Sequence, residues 1–165
     1  MKKYLLILIV VLGISCNNQS NKRTESASTT STKEATPDFN VAIKFINDYV
    51  DICNPKDKII DESIWIERNP LLTQKFKTTF KNLIDSAYKE EPEVGLDFDP
   101  IFDGNDFPDK GFEIIEKNDQ SGYIVLRGIN RPEFTLTMKV VKLNTIWLVD
   151  GSGIINIPKD KQAKR

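Results

Sequence analysis

FTLTMKVVKLNTIWLVD, residues 134–150, decides the fold. Phe134, Leu136, Met138 and Val140 alternate with Thr135, Thr137 and Lys139, the period of a strand with one buried face and one wet face. Asn144-Thr145 turns the chain, and Ile146-Trp147-Leu148-Val149 follows as the next strand. So short a turn can join only antiparallel neighbours. Working upstream, residues 112–116 and 123–127 predict two more strands around an Asp119-Gln-Ser-Gly122 turn. The second half of the chain therefore predicts an antiparallel meander of about four strands.

Before residue 92 the period is helical. Thr36-Pro37-Asp38 supplies a capping hydroxyl, a proline at the first helical position and an acid at the positive dipole end. Val41, Ala42, Phe45, Ile46, Tyr49, Val50 and Cys53 then form one apolar stripe, which Asn54-Pro55 stops. Residues 61–66 predict a short helix or turn carrying Ile64 and Trp65. Asn69-Pro70 repeats the start signal ahead of Leu72, Phe76, Phe80, Leu83, Ile84 and Ala87, bounded by Pro92. An aromatic stripe at this spacing reads as core. Two main N-terminal helices packed on one face of a curved antiparallel sheet give an α+β fold.

Between helices and sheet runs DFDPIFDGNDFPD, residues 97–109. Its acids make Asp97, Asp99, Asp103 and Asp106 weak candidates for a Ca²⁺ site. An EF-hand needs Asp-x-Asx-x-Asx-Gly with a glutamate at position twelve. Counting from Asp97, the fifth position is Ile101; counting from Asp103, it is Phe107. Neither frame fits. Phe98, Ile101, Phe102 and Phe107 read as anchors tucked under the domain, with the aspartates on turn duty before Pro100, Gly104 and Pro108. A structural crossover is expected, with a partner-recognition surface as the alternative use.

Composition narrows the function. The 165 residues suit one domain, the formal net charge is −1, and no basic patch points to nucleic acid. The chain has no histidine, which removes Ser-His-Asp and Cys-His chemistry and His-ligated zinc. Gly151-Ser152-Gly153 precedes Ile154-Ile155 rather than a helix, so it reads as a strand end and not a phosphate cradle. No cofactor and no catalytic residue is identified. Cys53, on its stripe, reads as a small buried hydrophobe.

The first residues read as an address. Lys2-Lys3 precede an apolar run from Tyr4 to Ile14 that is too short to span a bilayer, which needs about 20 residues. Leu12-Gly13-Ile14-Ser15-Cys16 resembles a bacterial lipobox, with Gly13 where leucine is usual. The resemblance implies a signal peptide over 1–15 and a diacylated Cys16 as membrane anchor. Residues 17–36 hold no aromatic or large aliphatic side chain and read as a polar tether. The α+β domain then spans 37–158, and 159–165 is a polar tail.

The two helices, Asp99-Pro100-Ile101-Phe102-Asp103, and Trp147 ahead of Val149-Asp150 are similar to small bacterial lipoproteins with a nuclear-transport-factor-two-like, cystatin-like domain. That resemblance implies a conical sheet cavity and leaves activity open, since the fold hosts enzymes, binders and scaffolds. The expectation is a lipid-anchored envelope lipoprotein on the outer membrane facing the periplasm. It would act as a non-enzymatic binding or accessory module for an envelope partner, through its sheet cavity or acidic loop. The alternatives are an enzyme with a carboxylate base in the cone and an inhibitor or immunity lipoprotein.

Overall fold

The computed structural model describes residues 36–54 and 60–164; the proposed signal peptide, Cys16 and nearly all of the tether lie outside them. Three helices precede a four-stranded antiparallel sheet: α1 (Asn40–Cys53), α2 (Glu62–Arg68), α3 (Gln74–Glu90), then β1 (Phe112–Asn118), β2 (Tyr123–Gly128), β3 (Thr135–Leu143) and β4 (Ile146–Ser152). Strand order follows chain order, so the sheet is the expected meander. The α+β fold with helices on one sheet face is as the periodicity requires. No helix among the described residues is long and apolar enough to cross a membrane.

The alternating residues of β2 and β3 face the helices: Ile124, Leu126, Leu136, Met138 and Val140 are all buried. Against them pack Ala42, Phe45, Ile46 and Tyr49 of α1 with Phe76 and Phe80 of α3. Ile101 and Phe102 of the crossover complete this layer. The helix-facing side of the sheet is therefore the core of the domain.

Two predicted helix starts move. Helix α1 begins at Asn40 with no side-chain cap, because Asp38 rather than Thr36 accepts a backbone bond, from Asn40 N at 3.0 Å. Asn69-Pro70 does not open α3. Asn69 instead accepts Leu71 N at 2.9 Å, and residues 71–73 run beside β4, with Val149 N donating to Leu71 O and Thr73 N to Val149 O. Leu72, expected on the helical stripe, pairs in parallel with Val149. This bridge covers part of a sheet edge that would otherwise offer unpaired backbone groups. Thr73 then caps α3, its hydroxyl accepting Phe76 N at 3.0 Å and donating to the buried Asp150 at 2.8 Å.

The far face of the sheet is less wet than the alternation predicts. Thr137 is buried, since the chain after β4 folds back over it, with Gly153 N donating to Thr137 O at 3.2 Å. Ile157 packs where Gly151 has no side chain. The segment read as a polar tail opens with a 3-10 turn, Lys159–Lys161, and the Lys161 ammonium lies 5.2 Å from the Tyr123 ring. Trp147 of β4 is half-buried against the core.

Candidate functional site

The acidic loop folds as a hydrophobic crossover. Asp99 and Gly104 exchange two backbone bonds of 3.0 and 3.2 Å, closing a tight loop. Within it, Asp99 Oδ1 accepts Ile101 N at 2.7 Å and Phe102 N at 2.9 Å, an Asx turn led by Pro100. Asp103 takes a left-handed backbone conformation at φ 57°. Phe102 stacks on Phe107 with centroids 4.6 Å apart. Phe98 and Phe107 are half-buried, so the aromatics do anchor the loop.

The four candidate acids go separate ways. Asp97 is exposed. Asp106 pairs with Arg131 at 2.5 Å, whose guanidinium holds that carboxyl below its ordinary range. Asp103 sits on the left-handed corner, and Asp99 points inward. Among the described residues, no group of three His, Cys, Asp or Glu side chains is placed to hold a metal ion.

Asp99 instead joins a cluster that sequence spacing could not reveal. The Tyr49 hydroxyl, fully buried on α1, meets Asp99 Oδ2 at 2.8 Å and also contacts Glu62 Oε1 at the start of α2. The partners lie 13 and 50 residues from Tyr49 in the chain. Burial pushes both carboxyls above their usual range, and their mutual repulsion pushes Glu62 in the same direction. Burial, then Asp99 and Glu62, keep Tyr49 protonated. Cys53 nearby is pushed up to about 12 by burial first and the two acids second, so it is a neutral thiol.

Outside this cluster lies an open groove of about 640 Å³, running between α1, α2 and the 69–71 turn. Ile60, Ile64, Trp65 and Leu71 supply its apolar surface, and Lys44, Asp48, Asp61 and Arg68 supply both signs of charge. Ile64 remains 46% exposed. Trp65 is braced from beneath, its ring 5.8 Å from both Phe45 and Tyr49. A second groove shares Lys44 and Leu71 and continues past Val41 and Ile146 to Trp147. Glu62 and Asp99 line neither groove. Sequence reading singled out Trp65 and Ile64 only as parts of a short helix; their one legible signal was two large apolar residues on a segment too short to bury both.

The chain matches no protein-family model, no curated protein and no solved structure.

Proposed function

We propose that this chain is a lipid-anchored lipoprotein of the bacterial cell envelope, held by Cys16 and facing the periplasm from the outer membrane. On this reading it is a non-enzymatic binding module for a protein partner. The observation that carries the binding reading is the α1–α2 groove. Its volume falls within the range of about 300–1,000 Å³ for ligand clefts. A tryptophan, exposed isoleucines and an arginine around one depression are the residue types that anchor protein interfaces. Mixed charges at its rim favour a peptide segment over an ion of one sign. The runner-up is an enzyme with a carboxylate base. It is less well supported, because the two inward-turned carboxyls, Glu62 and Asp99, line neither groove. An inhibitor or immunity lipoprotein would use the same groove, and enzyme assays on the captured partner separate it from an accessory module.

Crosslinking of the full chain in intact cells, followed by recovery from envelope extracts, tests the groove. One dominant partner is expected, and Ile64→Asp should abolish its recovery. As an exposed change, it should leave stability within about 0.5 kcal/mol. Full recovery with the variant, or no partner for the parent chain, would reject the groove as the binding site.

The anchor is tested separately by labelled fatty acid. Cys16→Ser is expected to abolish incorporation and leave an uncleaved or mislocalised precursor. Equal labelling of variant and parent would rule out lipidation at Cys16.

A further inference from the structure

We infer that helix α2, one wall of the groove, is fastened to α1 by a single proton held between Glu62 and Tyr49, so that the groove loosens when that proton is lost. The inference concerns regulation of the proposed binding site, and its use in binding rests on that reading; the proton linkage itself does not.

Hydrogen-bond arithmetic carries it. A tyrosine hydroxyl has one hydrogen to donate. Two carboxyls meet the Tyr49 hydroxyl, Asp99 through Oδ2 at 2.8 Å and Glu62 through Oε1. Only one of them can receive the tyrosine hydrogen, so the other must bring its own. Asp99 is the acceptor, because its Oδ1 already takes two backbone N–H groups, of Ile101 and Phe102. An ionised carboxylate is what such a set of donors favours. The remaining proton therefore belongs to Glu62, whose carboxyl O–H donates to the Tyr49 oxygen. As the pair is coupled, it loses this proton as a unit.

Among the described residues no cation pairs with Glu62 or Asp99, and only the amino end of its own seven-residue helix favours a charge on Glu62. From α1, Glu62 faces Tyr49 and the Cys53 thiol; from the crossover it faces Asp99; on its own helix the nearest charge is Asp61. Helix α2 has only seven residues, and Ile66 is its one fully buried side chain. Losing the proton would set two carboxylates against one hydroxyl hydrogen at the first turn of that helix. Glu62, half-buried, can relieve this by swinging into water, which withdraws support from Trp65 and Ile64 beside it.

The sign follows from the raised folded-state value. The folded domain holds the proton to higher pH than the unfolded chain does. The contribution is therefore complete below the ordinary glutamate range of about 4.3, and it declines as pH rises through the folded value. Each unit by which that value is raised corresponds to about a tenfold change in the closed-to-open ratio of α2.

The test uses the full chain in detergent and needs no partner. The side-chain carboxyl carbon of Glu62 is titrated by NMR, and amide exchange over 62–68 is compared with α1 after correction for intrinsic rates. A Glu62 midpoint clearly above about 4.3 is expected. Protection of α2 should fall as pH rises from about 4.3 through that midpoint, about tenfold for each unit by which the midpoint exceeds about 4.3, while α1 holds. Glu62→Gln, which keeps a neutral donor to Tyr49, should give pH-independent protection of α2. A midpoint at or below the ordinary range would overturn the inference. So would a raised midpoint with no change in α2 exchange, or identical pH dependence in parent and variant. If Glu62→Gln does not fold, the parent's titration and exchange decide alone. Because none of these readouts involves binding, failure here is distinct from failure of the Ile64→Asp experiment.

Discussion

Phe45→Ala is expected to lower stability by about 3–5 kcal/mol, the range for deleting a large aromatic from a packed interior. Phe45 is fully buried at the middle of α1 and links both helical neighbours to the sheet. Its ring lies 6.1 Å from Tyr49, 5.8 Å from Trp65 and 5.6 Å edge-on from Phe76. Removing it leaves a cavity whose walls come from three helices, and those walls cannot collapse together without disturbing the sheet below. Urea denaturation measures the loss. A value below about 1 kcal/mol would mean that the site relaxes or that the side chain is less enclosed than this packing requires. Trp147→Ala should cost less, because Trp147 is half-exposed beside Ile146.

Gly153→Ala is expected to cost about 2–5 kcal/mol, from two separable sources. Gly153 holds φ at 57°, where an L side chain is strained. A Cβ there would also lie 2.5 Å from Pro100 O and 2.6 Å from Ile101 O. Those carbonyls cannot move freely. Ile154 N donates to Pro100 O at 3.0 Å, and the Ser152 hydroxyl donates to Ile101 O at 2.9 Å. The substitution therefore pries the crossover away from the end of β4. Gly95→Ala is the control: its φ is 68°, but the atoms nearest its Cβ would belong to the ring of Tyr88, which is 54% exposed and free to swing. Thermal or urea unfolding should show Gly95→Ala losing only the backbone part, about 1–2 kcal/mol. Equal losses at both glycines would show that the crossover does not grip Gly153.

The sequence by itself determined the α+β class and the order of the main elements. It could do so because strand and helix periodicities are properties of consecutive residues: Leu136, Met138 and Val140 must share one face of an extended chain, as Phe45, Ile46 and Tyr49 must share one stripe of a helix. It also determined that the loop after residue 96 would be anchored by its own aromatics, since no cation frame fits and Phe102 has nowhere wet to go. Element starts were less legible, because the cap signals at Thr36 and Asn69 compete with partners that local sequence does not contain. Asn69-Pro70 reads as a helix start until Val149, 77 residues beyond Leu72, claims the next three residues for the sheet edge.

Only the tertiary structure decided the site. Asp99 was readable as a turn residue, and one of its oxygens serves that turn. Its other oxygen meets Tyr49, which the sequence presents only as one more member of a core stripe. Glu62 carried no signal at all. No spacing rule joins residues 49, 62 and 99, since the contact exists only once α1, α2 and the crossover pack around Phe45 and Phe102. Local sequence sets which face a side chain occupies, whereas the sharing of one hydroxyl by two acids depends on where three separate segments come to rest.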